Sequence, residues 1–230
     1  MIRILVVDDQ RLVRRCISAK LNAVDDFEVV AEADSGEGAR KIVREETIDI
    51  VLMDLNMPGI GGLEATRRVV SGDPRCQVIG LSMYVEGPYP RRFMELGGAG
   101  YVSKNADTDE LIHAIRTVAG GTPYISQDVA QSIAVNDSIK GSLGGLNDLS
   151  SREIQVLQKV TEGLNIDEIA TAMCLSPKTI AHHRRSLCAK LGAGNDVQLA
   201  IIANAQGITE LGELLNAAPN REFATTARQR

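Results

Sequence analysis

Ile48-Asp49-Ile50-Val51-Leu52-Met53-Asp54-Leu55-Asn56-Met57-Pro58-Gly59-Ile60-Gly61-Gly62 sets the frame for the rest of the chain. From Ile50 to Met53 the residues are aliphatic or β-branched with no polar interruption, the pattern of a strand buried on both faces of a parallel α/β sheet. Pro58 and the glycines at 59, 61 and 62 cannot continue a central strand. Asp54 therefore falls at the strand's carboxyl end, where open α/β sheets hold their ligands. It is the candidate reactive group.

The segments on either side have the same character. Ile2 to Val7 is a short apolar strand followed by Asp8, Asp9 and a helical pattern through Leu21, with Leu12, Val13, Cys16, Ile17 and Leu21 on one face. Phe27 to Ala33 reads as a second strand and Gly36 to Glu45 as a second helix. Beyond the Asp54 strand come a helix from Leu63 to Val70, a strand from Gln77 to Ser82 and a helix from Pro90 to Leu96. A short strand from Ala99 to Val102 and a helix from Asp107 to Ala119 complete the series. Five strands alternating with five helices imply an α/β unit of (βα)5, flavodoxin-like form over residues 1–120, with right-handed crossovers and helices on both faces.

Gly120, Gly121, Gly141, Gly144 and Gly145 then surround a single possible helix from Gln127 to Ala134, so residues 121–147 read as a linker. Residues 148–212 show helical period only. Ser150 or Ser151 caps a helix reaching Thr161, with Glu153 placed for a capping box. Ile166 to Met173 follows Gly163, and Ser176-Pro177 opens a third helix to Leu191. A fourth runs from Val197 to Asn204. Residues 213–230 are small and polar and are expected to form a disordered tail.

Bulk composition narrows the classes. At 230 residues two ordinary domains fit the length, and 44% hydrophobic residues with 3% aromatics and no Trp suit α/β and helical cores rather than a β-sandwich. A net charge of -5 argues against a chain that coats nucleic acid throughout, but leaves room for a local basic face. Cys16, Cys76, Cys174 and Cys188 show no C-x-x-C spacing and read as reduced thiols. No apolar run approaches the roughly 18 residues of a membrane helix, so a cytoplasmic protein with no membrane partner is expected.

Asp8 and Asp9 follow the first strand, Asp54 the third, Ser82 ends the fourth and Lys104 lies just past the fifth. In a sheet of order 2-1-3-4-5 the ends of strands one and three are neighbours, so the three carboxylates converge. Carboxylates that close repel one another unless a cation joins them, and hard oxygen ligands suit Mg2+. That ion would neutralise an incoming phosphoryl group, with Lys104 and Ser82 holding its remaining oxygens and Asp54 as nucleophile.

With Asp8-Asp9, Asp54 in Met53-Asp54-Leu55-Asn56-Met57-Pro58-Gly59, Ser82, and Tyr101 and Lys104 in Gly100-Tyr101-Val102-Ser103-Lys104, residues 1 to about 120 resemble a response-regulator receiver domain. The resemblance implies that Asp54 accepts a phosphoryl group from a sensor histidine kinase. It implies also that Asp8, Asp9, Asp54 and the backbone carbonyl of Asn56 hold Mg2+, Asp9 directly and Asp8 mainly through water. Ser82, where threonine is commoner, and Tyr101 would form the switch.

In the C-terminal half the helix from Thr179 carries Lys178, Ala181, His182, Arg184, Arg185 and Lys190, a cationic face that could enter a major groove. Such a face alone is ordinarily just solvated. Glu153, Leu157, Gly163, Ile169-Ala170, Ser176, Thr179-Ile180, His183 and Lys190-Leu191, however, stand where the LuxR/FixJ (NarL) type of four-helix, helix-turn-helix domain has its pattern. The resemblance implies promoter DNA as ligand, read by Lys178, Thr179, His182, His183, Arg184, Arg185 and Lys190, with RNA polymerase as a further partner. It implies a homodimer, formed on phosphorylation or DNA binding, through Val197, Leu199, Ala200 and Ile202. Ala181 departs from the usual Lys, and Asn165-Ile166-Asp167 from the commoner Ser-Asn-Lys. Gly194-Asn195-Asp196-Val197-Gln198-Leu199 and the Pro-Tyr-Pro stretch after Tyr84 most resemble the GacA/UvrY/LetA branch, which implies a BarA/GacS-like kinase and control of small regulatory RNAs.

The expectation is thus a transcription regulator rather than an enzyme, catalysing only its own phosphorylation and dephosphorylation. Two rivals follow from the same residues. An aspartyl-phosphate hydrolase would place a second acid two residues after the nucleophile, where this chain has Asn56, and would leave 149–207 unexplained. A DNA-binding regulator that works without phosphorylation is the other.

Overall fold

In the computed structural model, which describes residues 1–85, 87–138, 148–205 and 208, burial alternates side to side along the strands. Ile4 and Val6 of β1 (Ile2–Val7) join Ile50 and Leu52 of β3 (Ile50–Asp54) and Ile79 and Leu81 of β4 (Gln77–Ser82) in one core. That core is covered by Leu21 of α1 (Arg11–Leu21) and by Ala114, Ile115 and Val118 of α5 (Thr108–Ala119). Leu5, Val7, Val51, Met53 and Val78 face the opposite core, against α2 (Gly36–Glu45), α3 (Gly61–Gly72) and α4 (Tyr89–Glu95). Each such side chain contributes about 1.5–3 kcal/mol on full burial, so the unbroken apolar runs of β1 and β3 anchor the centre of the sheet.

With β2 (Phe27–Ala33) and β5 (Gly100–Ser103), the strands pair in parallel in the order β2-β1-β3-β4-β5-β6. The expected five-strand order is present, with one strand more. β6 (Tyr124–Ile125) comes from the stretch read as linker and pairs with β5, Gly100 opposite Tyr124 and Tyr101 opposite Ile125. It leads into α6 (Gln127–Ser138), whose Val129 is fully buried. Two residues of strand carry no periodicity to detect; the pairing is specified by the backbone edge that β5 offers.

The first helix also departs from its sequence reading. Of the stripe Leu12, Val13, Cys16, Ile17 and Leu21, only Leu21 is buried, while Leu12 is 84% exposed and Cys16 is exposed. Ser18 fills the core position instead, its hydroxyl donating to the Arg14 carbonyl. Ile17 and Leu21 thus keep the stripe on the core while Leu12 and Cys16 line a surface groove.

The C-terminal domain comprises α7 (Ser151–Thr161), α8 (Ile166–Ala172), α9 (Pro177–Leu191) and α10 (Asp196–Ala205) around Ile154, Leu157, Ile169, Ala170, Ile180, Leu187 and Leu199. Ser150 caps α7 in a full capping box with Glu153, as the spacing indicates. Asn165 and Glu168 form a second such box on α8. The turn between α8 and α9 places Cys174 at a left-handed φ of 53°, and Gly192 ends α9 at 66°. The expected tail, 213–230, lies outside the described residues. Among the described residues no helix is long and apolar enough to cross a membrane.

Candidate phospho-acceptor pocket and nucleic-acid face

Strand register builds the acid pocket. Val7 lies opposite Met53 and Asp54 opposite Leu81, so the residues that follow β1 and end β3 emerge side by side. Carboxylate oxygens of Asp8, Asp9 and Asp54 all lie within 4.8 Å of one another. Asp8 and Asp54 are buried and Asp9 is exposed. Lys104 Nζ is 2.9 Å from both Asp8 Oδ2 and Asp54 Oδ2. Three carboxylates against one ammonium leave two negative charges uncompensated, and the donor set is all oxygen. A divalent cation with a preference for hard ligands fits that arrangement.

The protonation tendencies agree with this charge count. Burial pushes the Asp54 carboxyl above its ordinary value and Asp8 adds to the shift, against the Lys104 ammonium and the Asn56 N–H that donates to Asp54 Oδ1 at 2.9 Å. Burial alone would depress Lys104, but Asp54 and Asp8 outweigh it and hold the ammonium above its usual range. One cation is shared by competing acids. Gly62 packs against the backbone at the end of β3, where a Cβ would meet the Asp54 carbonyl oxygen at 2.2 Å. The loop can run that close to the Asp54 backbone only with glycine at 62.

Ser82 and Tyr101 are both fully buried. Ser82 Oγ accepts from the Tyr84 N–H at 3.0 Å, and the Tyr101 hydroxyl donates to the Tyr84 carbonyl at 2.7 Å. Burial drives the Tyr101 phenol well above its ordinary range, so it remains a donor. The two residues therefore grip the same backbone segment after β4. On the opposite side the pocket opens into a groove of about 620 Å³ between α1 and α5, lined by Leu12, Cys16, Met83 and Leu111 and reaching Asp54 and Lys104. Leu12 and the 48%-exposed Met83 make its mouth apolar.

On α9 the expected contacts separate into two sets. Lys178, His182 and Arg185 are exposed, and Thr179 is half-buried with its backbone N–H donating to Ser176 Oγ. His183 is partly buried, which lowers its imidazole below the ordinary value. Arg184 is engaged with Asp196 at the start of α10, and Lys190 Nζ donates to Glu153 Oε2 at 2.8 Å and to the Asp148 carbonyl at 2.9 Å. Sequence spacing did not reveal those two partners. On α10, Leu199 faces the domain core and Ile202 is half-buried, which removes Leu199 from the expected pairing surface. The exposed apolar pair is Val197, 68%, and Ile201, 62%, one helical turn apart on the opposite face.

Residues 4–116 match the response regulator receiver domain family, and residues 147–203 match the bacterial regulatory proteins of the luxR family. The Response regulator GacA of Pseudomonas viridiflava is 41% identical over 213 residues, spanning 91% of this chain and 99% of its own length. The chain belongs to the LuxR-family response regulators. The Response regulator UvrY of Escherichia coli strain K12 is similar at 40% over 209 residues, 90% of this chain and 96% of its own. Among solved structures, a LuxR-family two-component response regulator from Aurantimonas sp. SI85-9A1 aligns with a TM-score of 0.57 at 37% identity, over 59% of this chain and 97% of that one. RcsB of Salmonella enterica serovar Typhimurium, bound to promoter rprA in the presence of phosphomimetic BeF3-, aligns with a TM-score of 0.66 over 87% and 96%. At 22% identity that is a likeness of fold. The protein is a DNA-binding transcription regulator of a two-component system.

In this response regulator the loop after Asp54 is also in contact with the second domain. Arg152 Nη1 donates to the Gly59 carbonyl at 2.8 Å, and the Gly59 N–H donates to the Ala172 carbonyl at 3.2 Å. Gly61 has φ +69°, and a Cβ there would lie 1.6 Å from the Gln155 side-chain nitrogen. The segment that follows Asp54 thus touches α7 and the end of α8 without covering Lys178, His182 or Arg185.

Proposed function

We propose that Asp54 takes a phosphoryl group from a sensor histidine kinase and that this biases the C-terminal domain toward promoter DNA. The observation that carries the reading is the buried Asp54 carboxylate, with Asp8 and Asp9 oxygens within 4.8 Å and the Lys104 ammonium at 2.9 Å. An Asp54 oxygen forms the O–P bond as the donor's N–P bond breaks, and Lys104 Nζ holds a phosphoryl oxygen. Ser82 Oγ turns from the Tyr84 N–H to another phosphoryl oxygen, which frees the Tyr84 segment that Tyr101 also holds. Asp8, Asp9, Asp54 and the Asn56 carbonyl would hold Mg2+, which supplies positive charge against the phosphoryl oxygens when bound. The donor approaches along the α1–α5 groove, whose apolar mouth at Leu12 and Met83 suits a helix carrying the phosphohistidine.

Lys178, Thr179, His182 and Arg185 then meet the major groove, and Val197 with Ile201 pairs two copies of the domain. The similarity to GacA and UvrY supports a BarA/GacS-like kinase, control of small regulatory RNAs, contact with RNA polymerase and a cytoplasmic location. Catalysis is confined to the protein's own phosphorylation and dephosphorylation.

The test is intact mass after incubation with Mg2+ and acetyl phosphate or phosphoramidate. Wild type gains one labile phosphoryl group and Asp54→Asn gains none; equal gain by both would remove Asp54 as the acceptor. A second reading, regulation without phosphorylation, is favoured by the exposure of Lys178, His182 and Arg185 alongside a docked receiver. Equal DNA affinity of phosphorylated wild type and Asp54→Asn would select it.

A further inference from the structure

Lys190 looks from sequence like one more phosphate contact, yet its ammonium is turned toward the protein. Glu153, at the start of α7, is 4% exposed, and every one of its acceptor contacts is to the domain itself. Its Oε2 accepts from the Ser150 N–H at 2.7 Å, the Ser150 hydroxyl at 2.9 Å and Lys190 Nζ at 2.8 Å. Its Oε1 accepts from the Ser186 hydroxyl at 2.6 Å. Ser186 and Lys190 stand one turn apart on α9, so a single buried carboxylate fixes two points along the helix that carries Lys178, His182 and Arg185. A helix tied at two points on one buried carboxylate cannot roll or slide without breaking a hydrogen bond to it, one of them charge-assisted by the Lys190 ammonium. Against the burial that would raise it, these donors bring the Glu153 carboxyl down to about 2.

We propose that Glu153, acting through Ser186 and Lys190, is a positioning residue that sets the angle of α9 in the groove and so the sequence specificity of this regulator, and that Lys190 makes no phosphate contact. The proposal rests on the reading of α9 as the recognition helix. Base edges are read by directional bonds and are lost when the helix rotates, whereas attraction to phosphates survives small rotations. Loosening the brace therefore costs discrimination rather than general affinity.

The experiment uses the full chain and a duplex chosen by the wild-type protein from a randomised library, beside a scrambled duplex of equal length. Affinities for both are titrated over a range of salt for wild type, K190Q, S186A, E153Q and, as a control on the exposed face, K178Q. K190Q and S186A are expected to lower the ratio of selected to scrambled affinity about tenfold, the size of one lost base-directed contact, while the salt slope stays at the wild-type value. K178Q is expected to reduce the slope by about 0.9, one phosphate contact. Partial unfolding lowers both affinities together and leaves the ratio alone, so the ratio separates positioning from mere stability. S186A, which keeps every charge, preserves the test where E153Q does not fold. A slope loss of about 0.9 for K190Q, or an unchanged ratio for both K190Q and S186A, overturns the inference alone. No effect of K178Q on affinity or slope overturns the recognition-helix reading together with it.

Discussion

The two ends of this molecule handle charge in opposite ways. In the receiver, Asp8 and Asp54 are buried and share one ammonium, so the pocket carries more negative charge than its own residues neutralise. In the C-terminal domain the buried acid Glu153 is fully satisfied by Ser150, Ser186 and Lys190, and the unsatisfied charges Lys178 and Arg185 are positive and exposed. One site is short of cations and the other of anions. An under-compensated buried group marks the place where a ligand must come, and a compensated one marks structure. The same residue types therefore take different roles according to whether their partners lie inside the chain.

That contrast can be broken most severely at Lys104. Lys104→Ala should still take up phosphoryl from acetyl phosphate, but the change in DNA affinity on phosphorylation should vanish. Loss of a tenfold response corresponds to about 1.4 kcal/mol of bias removed from the two-state equilibrium. Persistence of the full response in that variant would move the coupling away from the acid pocket.

A comparable effect, on stability instead of coupling, is expected at Glu153. Its folded carboxyl is held at about 2, below the ordinary 4.5, so its contribution is present above pH 4.5 and is lost as pH falls toward 2. From that shift the C-terminal domain owes it on the order of 3 kcal/mol at neutral pH. Denaturant titrations across that pH window should show an acid limb that is steeper in wild type than in Glu153→Gln, where Glu64 still contributes. Parallel limbs would mean that the carboxylate is not tied as described. A smaller change follows at the N-cap: Ser150→Ala should cost about 1 kcal/mol in the same titrations while leaving phosphoryl uptake untouched. Any loss of uptake there would show that the two charge systems are linked.

Sequence carried the receiver site because its residues sit at strand ends, and strand ends are announced by apolar runs stopping at Asp8, Asp54 and Ser82. It carried Ser150 and Glu153 because a capping box is local. It did not carry the Arg184–Asp196 and Lys190–Glu153 pairs, whose members are joined only by the folded arrangement of α9 against α10 and α7. Leu12 and Leu199 misled for a related reason. Apolar period reports which face is hydrophobic, and at α1 the Leu12 end of that face lines an open groove while only the Ile17–Leu21 end reaches the core. At α10 the helix is apolar nearly all round, so the period does not separate Leu199 inside from Val197 and Ile201 outside.

The pairing of β6 with β5 has a practical consequence for anyone dividing this protein. A fragment cut at residue 120, where the apolar and helical periods suggest the unit ends, would strip the Tyr124 and Ser126 N–H donors from the Ala99 and Tyr101 carbonyls and empty the niche of Val129. The bared rim of β5 would then be free to recruit a strand from another molecule, the usual route to aggregation of truncated sheets. A fragment ending after Ser138 keeps the sheet sealed.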